Sequence, residues 1–203
     1  MKVSVCIATY GGSEWEELAL TRAAPSVQGA HQVTCFHDPD GTIASVRNEV
    51  GRTARGDWLA FLDADDEFAP GYLDAMARAA ERVGDGTYLL TPAVQQLRKN
   101  GSPRGKPSFF DRGISLRDDN WLVVGTLIKK DLFLSVGGFD DYPHGFEDWS
   151  LWAKAWKAGA EVVKVPDAIY RYWVNPNSKH KQGWRDRAWQ VETHNRVRAE
   201  LFG

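Results

Sequence analysis

The sequence predicts an α/β protein built on a mostly parallel sheet flanked by helices. Strand-length apolar runs alternate with helix-spaced segments over residues 1–66, in the order strand, helix, strand, helix, strand. Parallel strands joined by helices present their carboxyl ends at one edge, and all three strand ends here are polar: Thr9-Tyr10, Asp38 and Asp63-Ala64-Asp65. The third strand, DWLAFLDADD over residues 57–66, is an apolar run that stops abruptly in three carboxylates.

Residues 3–9, VSVCIAT, are rich in β-branched side chains and predict the first buried strand. Gly11 and Gly12 give the following loop backbone freedom. Trp15, Leu18, Ala19 and Arg22 have helical spacing, and Pro25 ends that helix. Residues 32–37 predict the second strand, closed by Asp38-Pro39-Asp40-Gly41. A helix follows over 42–55, with Thr42 as N-cap, Val46 and Val50 on one face and Gly56 as its stop. After the strand at 58–62 comes a helix over 70–83. Pro70 takes its first position, Tyr72, Leu73, Met76, Ala80 and Val83 face the core, and Gly84 ends it.

Residues 87–91 predict another strand. Residues 98–112 hold five Lys or Arg against Asp111 and read either as a solvated hairpin loop or as a flap over an anionic ligand. A strand over 121–128 and a helix over 131–136 lead to Gly137-Gly138-Phe139-Asp140, where two glycines let backbone approach a neighbour closely. A helix opens at Gly145-Phe146-Glu147-Asp148-Trp149, buries Leu151, Trp152, Ala155 and Trp156, and ends at Gly159. Strands over 161–165 and 168–174 precede a terminal helix over 184–201, with Ala188, Val191, His194 or Asn195, and Val197 inward.

The chain has 203 residues, 43% of them apolar, enough for one domain with a substantial core. A net charge of −2 gives no whole-chain attraction to a polyanion. Cys6 and Cys35 each lie in a short apolar run and are expected as buried free thiols. With no signal-like N-terminus and no apolar run of about 18 residues, they point to a cytoplasmic protein without a transmembrane segment.

Asp63 and Asp65 are two residues apart, so in extended backbone they point the same way. Like charges held together repel unless a cation lies between them, and oxygen-only ligands suit Mg²⁺ or Mn²⁺. The stretch therefore reads as a metal site able to hold a diphosphate. A polar turn is the competing reading.

Three sets of residues resemble a known family. Val3-Ser4-Val5-Cys6-Ile7-Ala8-Thr9-Tyr10 is similar to the opening strand of family 2-type inverting glycosyltransferases. Asn48, Ala54-Arg55-Gly56-Asp57-Trp58 and Phe61-Leu62-Asp63-Ala64-Asp65-Asp66 resemble their central signature. Val136-Gly137-Gly138-Phe139-Asp140, then Gly145-Phe146-Glu147-Asp148-Trp149-Ser150-Leu151, resembles their acceptor-side signature. Order and spacing agree from residue 3 to about 175. The resemblance implies the GT-A fold, a mostly parallel, Rossmann-like sheet flanked by helices. It implies one domain over 1–203, with a nucleotide-binding half at 1–90 and an acceptor-binding half at 91–203.

The resemblance also implies transfer of a sugar from a nucleotide-sugar, UDP-linked, to a hydroxyl acceptor, with inversion. Asp65 is then the first metal ligand for Mn²⁺ or Mg²⁺, with His180 as a later one. Asp63 contacts the ribose, the donor sugar or a metal-bound water. Thr9, Tyr10, Asp38, Arg47, Asn48 and Ala64 complete the donor site. Asp38 accepts from the base or forms an Asx-turn. Arg47 neutralises phosphate or faces solvent. Asp148 is the general base, with Glu147 orienting it or the acceptor; both carboxylates also suit a helix N-terminus. Gly138, Phe139 and Trp149 line the acceptor side, with core packing the alternative for Trp149. Arg171 and Lys179 reach the diphosphate, His144 is a weaker metal candidate and His194 is structural.

The implied acceptor is a glycan, a lipid-linked group, a protein or a nucleic acid. Seven Lys or Arg against three acids over 171–203 favour an anionic one. The chain carries no membrane helices after the catalytic region, so a single-transfer enzyme is expected rather than a processive synthase. A nucleotidyltransferase would place a basic Gly-rich loop after the first strand, and Gly11-Gly12-Ser13-Glu14 has no base there. A non-catalytic nucleotide-sugar or glycan-binding module would not need Asp63, Asp65 and Asp148 together.

Overall fold

The β-branched N-terminal run forms β1 (Val3–Tyr10), buried along nearly its whole length. The computed structural model describes residues 1–111, 113–142, 145–174 and 187–203, with backbone alone over 187–190. In it β1 lies between β2 (Gln32–Asp38) and β3 (Trp58–Phe61), parallel to both. The first crossover is α1 (Ser13–Leu18), which runs through a π-helical stretch, Ala19–Ala23, into α2 (Ala24–Ser26). The second is α3 (Ile43–Thr53). Thr42 caps it as expected: Thr42 Oγ1 accepts the Ser45 N–H, and Ser45 Oγ accepts the Thr42 N–H in return.

The helix ends at Ala54, so Gly56 is not its stop. A Cβ on Gly56 would lie 2.6 Å from the Ser4 nitrogen, so its bare backbone lets the chain enter β3 against the start of β1.

Four more strands complete the sheet: β4 (Glu67–Phe68), β5 (Tyr88–Leu97), β6 (Leu127–Lys129) and β7 (Glu161–Trp173). The order is β2-β1-β3-β6-β5-β7-β4. The long ladders, β1 with β2 and β3 and β5 with β7, are parallel; short antiparallel ones join β3 to β6, β6 to β5 and β7 to β4. The remaining helices are α4 (Tyr72–Val83), α5 (Lys130–Ser135), α6 (Glu147–Lys157) and α7 (Arg187–Phe202). One large core runs along the sheet, and a smaller one joins Tyr142, Trp149 and Ala153 to Val197 and Leu201 of α7.

Several expectations need correction. Of the strand expected over 121–128 only residues 127 and 128 pair in the sheet, in β6, which runs on to Lys129. The Thr126 N–H goes to the Val123 carbonyl and the Leu122 N–H to Asn120 Oδ1, so these donors leave the ladder for turns. The two strands expected over 161–174 are one, β7, with a register slip opposite Pro92/Ala93. β4 was not foreseen, being two residues long. Pro70 precedes the α4 cap, which is Gly71 at φ 79°.

Cys6 is a buried free thiol, and burial pushes its pKa up to about 12. Cys35 is free but exposed, because β2 is an edge strand with Val33 and Phe36 also exposed. Trp156 and Val191 point outward rather than inward; Thr193 is the buried residue beside Val197. The basic stretch folds back on β5 as a hairpin, with Val94 and Ser108 exchanging both backbone hydrogen bonds.

Candidate active site

The acidic stretch leaves β3 as a turn, not as extended backbone. The Asp66 N–H donates to the Asp63 carbonyl at 3.1 Å, so Asp63 and Asp65 do not share a face by strand alternation. The turn is held from three sides. Tyr170 Oη and the Trp173 N–H, both from β7, each donate to one oxygen of the buried Asp66 at 2.8 Å. Arg22, at 4.3 Å over the Trp173 ring, donates to the Asp65 carbonyl at 3.0 Å. Burial, followed by the charges of Asp65 and Asp63, pushes Asp66 well above the usual carboxylate range, so it is an internal anchor. Ala64 is buried and Asp65 half-buried.

Arg47 projects from the buried face of α3 and joins the two halves of the chain. Its Nη2 lies 2.5 Å from Asp63 Oδ1 and its Nη1 lies 2.8 Å from Glu147 Oε1. Arg47 therefore does not face solvent. Burial alone would lower its proton affinity, but the charges of Asp63, Glu147 and Asp148 outweigh that and raise it. Glu147 opens α6 with its second oxygen, Oε2, buried and unpaired among the described residues.

Asp148 follows in the same turn. Its Oδ1 accepts the Trp149 N–H at 2.8 Å and its Oδ2 accepts from Asn120 Nδ2 at 2.9 Å. Part of its surface reaches solvent, yet dense protein surrounds it. Burial first, then the Glu147 charge, raises its pKa to about 7, against the opposing pull of Arg47. A carboxylate with that affinity is poised to take or give a proton near neutral pH.

Thr9, Tyr10 and Asp38 stand at the same sheet edge, with Tyr10 paired in register to Asp38. The Thr9 hydroxyl is bonded to His37 Nδ1 at 2.9 Å. Asp38 Oδ1 accepts the Asp40 N–H at 3.1 Å, the Asx-turn alternative. Asn48 is tied at both ends of its amide to the Phe139 backbone, each bond 2.8 Å. Gly138, at φ 69°, makes this fit possible: a Cβ there would sit 2.3 Å from Asn48 Oδ1.

On the acceptor side the Phe139 expectation needs correction, and Trp149 takes its alternative, core packing. The Phe139 ring packs against Phe61 and Phe133 in the core. Trp149 is fully buried, stacks on His194 and donates Nε1–H to the Leu116 carbonyl. Neither ring is a platform for a ligand. His144, Lys179 and His180 lie outside the described residues. Arg171 lies 3.6 Å from Glu67.

Among the described residues no three His, Cys, Asp or Glu side chains cluster as a ready metal site. Asp63 is taken by Arg47 and Asp66 by β7. Asp65, half-buried on the same turn, carries the carboxylate oxygens that suit a Mg²⁺ or Mn²⁺ ion held jointly with phosphate oxygens rather than in a closed protein cage. Asp63 and Glu147 are both paired with Arg47 and Asp148 lies within the field of the same guanidinium, so three carboxylates face one cation.

Sequence reasoning missed Asn120, Tyr170, Trp173 and Arg22. Asn120 and Asp148 are 28 residues apart with no periodic signal between them. Trp173 and Tyr170 read as ordinary strand residues.

The family model described as "Glycosyl transferase family 2" matches residues 5–129. An uncharacterized glycosyltransferase of Haemophilus influenzae is 28% identical over 116 residues, covering 55% of this chain and 40% of that one. The N-acetylglucosaminyl-diphospho-decaprenol L-rhamnosyltransferase of Mycobacterium tuberculosis is 26% identical over 227 residues, covering 96% and 72%. The chain spans half or less of the length of the first curated relatives it matches. The crystal structure of S. aureus TarS 1–349 in complex with UDP-GlcNAc aligns with a TM-score of 0.60 at 16% identity, covering 88% of this chain and 60% of that one.

Proposed function

Because the chain belongs to glycosyl transferase family 2, we propose that it transfers a sugar from a UDP-linked donor to a hydroxyl acceptor by direct displacement with inversion. Its architecture, the GT-A fold, sets the polar strand ends at one edge, where ligands of such sheets bind. The observation that carries the proposal is the Arg47 bridge. It holds Asp63, on the turn after β3, and Glu147, beside Asp148, in one cluster. A donor seated at the turn would have its reacting carbon near a carboxylate of suitable proton affinity.

In this reading Asp148 accepts the acceptor hydroxyl proton as that oxygen attacks the anomeric carbon. The diphosphate leaves from the opposite face with the bonding electron pair. Glu147 holds Arg47 and thereby the base turn. Asp38 and Tyr10 bound the nucleotide end, and Asp63 lies along the ribose and sugar. Mn²⁺ or Mg²⁺, held by Asp65 and His180, would offset the charge that builds on the departing diphosphate. The backbone at Gly138, rather than the Phe139 or Trp149 rings, borders the acceptor.

The UDP-linked donor rests on the nucleotide-sugar in the TarS complex. A lipid-linked acceptor is the parallel drawn from the mycobacterial relative's name. The 1–90 half serves the donor and the 91–203 half the acceptor.

Calorimetric titration with UDP and Mn²⁺ tests the donor reading. The native protein and Asp148→Asn are expected to bind, and Asp65→Ala to lose metal-dependent binding. Equal binding by Asp65→Ala would remove Asp65 as a ligand, and no binding by the native protein would sink the UDP assignment.

A further inference from the structure

We propose that Asn120 is a positioning residue that orients the Asp148 carboxylate and holds it in its proton-accepting form; this inference rests on the transferase reading for its catalytic meaning. The Asn120 side chain is fixed at both ends. Its Oδ1 accepts the Leu122 N–H at 3.0 Å, and its Nδ2 donates to Asp148 Oδ2 at 2.9 Å. A backbone N–H only donates, so Oδ1 must face Leu122 and the amide donor must face Asp148. The Asn120 N–H is bound by Asp119 Oδ1 at 2.8 Å, which fixes the main chain too.

The other Asp148 oxygen accepts the Trp149 N–H from its own helix, so each oxygen has one donor and the carboxylate plane is set. A second bond, Trp149 Nε1–H to the Leu116 carbonyl, clamps the same loop to the first turn of α6. The loop before β6 is thus built against the base.

The charges around Asp148 make this donor consequential. Glu147 on α6 and Asp63 after β3 favour its protonated form, while Arg47 on α3 opposes them. Asp119, next to Asn120, lies 3.7 Å from His194 of α7. Arg47 is already shared between Asp63 and Glu147. Asn120 adds a neutral donor that stabilises the ionised carboxylate without drawing on that guanidinium.

The test uses the full chain with ¹³C-carboxyl-labelled aspartate. The Asp148 signal is assigned by its loss in Asp148→Asn and titrated against pH in the native protein, Asn120→Ala and Asn120→Asp. Asn120→Asp keeps the shape and the acceptor for Leu122 but removes the donor. Both variants should raise the Asp148 midpoint by about one pH unit or more. If a UDP-sugar is turned over with water as acceptor, UDP release at pH 7 should fall about ten- to hundredfold at unchanged donor KM. The acid limb of the rate profile should move with the midpoint.

A midpoint unmoved in both folded variants overturns the proposal and leaves Asn120 a loop-packing residue. A midpoint moved in the variants supports the coupling, and if the native protein then neither binds nor turns over any UDP-sugar, the transferase reading is overturned instead.

Discussion

Arg47 has a larger role in this site than its place in the sequence suggests. Residue spacing offers it as a phosphate ligand or a surface cation, but the structure buries it between Asp63 and Glu147. Breaking a buried pair by removing one partner typically costs about 3–5 kcal/mol, because the other charge stays buried and unpaired. Arg47→Ala should therefore lower stability by about that much in urea unfolding. Arg47→Lys should recover part of it at most, since one ammonium does not reproduce the two-pronged contact. A loss below about 1 kcal/mol for Arg47→Ala would show that the triad is not a structural link.

Asp148 makes a separate prediction with a definite sign. Its folded pKa of about 7 lies above its ordinary value of 3.8, so the folded state binds this proton more tightly than the unfolded one. The stability it contributes is fully present below about pH 4 and is lost as pH rises toward 7. Asp148→Asn, which mimics the protonated form, should match the native protein near pH 4. At pH 8 it should be more stable by about 1–2 kcal/mol after allowance for solvent screening, while transfer falls about 10²–10⁴-fold. Thermal melts at the two pH values and a rate measurement check this. An equal melting temperature at pH 8 would show that burial does not tax the carboxylate.

At the scale of elements, the joint between α3 and the loop after α5 depends on one small residue. Gly138 occupies left-handed backbone, and its missing Cβ leaves room for the Asn48 amide that bonds Phe139 in both directions. Gly138→Ala should cost about 1–3 kcal/mol through strain and displacement of Asn48, and Asn48→Ala a similar amount through two unpaired backbone groups. Additivity in the double variant would separate the two sites. The expected outcome is strong non-additivity, because both changes break the same joint.

Which elements are legible follows from where their information lies. Thr42 and the Val46/Val50 face announce α3 locally, and α3 forms there. The apolar residues 121–126 resemble a strand by composition, yet the Asn120 side chain and the turn at Val123 capture their donors. That competition depends on a partner 28 residues away, Asp148, which no local pattern reports. Trp149 and Phe139 show the same limit. Their place in the acceptor-side signature suggests ligand contact, while the cores they fill are assembled from distant elements.

At the scale of the whole molecule, the parallel half is legible because each βα unit is local and its order follows the chain. The reordering after β3, with β6 inserted between β3 and β5, is not, because antiparallel pairing over two or three residues leaves little periodic trace. The site inherits this division. Asp63-Ala64-Asp65 is visible as a strand end, whereas the contacts that hold its turn come from Arg22, from Arg47 of α3 and, through Asp66, from β7, and those that hold Asp148 come from the loop before β6. The family match covers residues 5–129, and Glu147, Asp148, Tyr170 and Trp173 lie beyond it.

The central claim is that the acidic turn seats a UDP-sugar donor for displacement. The most direct measurement is free UDP released from a panel of UDP-sugars incubated with the full chain and Mn²⁺ or Mg²⁺. The account predicts release from at least one donor that depends on the divalent ion and is abolished in Asp65→Ala. Neither binding nor release with any UDP-sugar, in the presence of either ion, would contradict it.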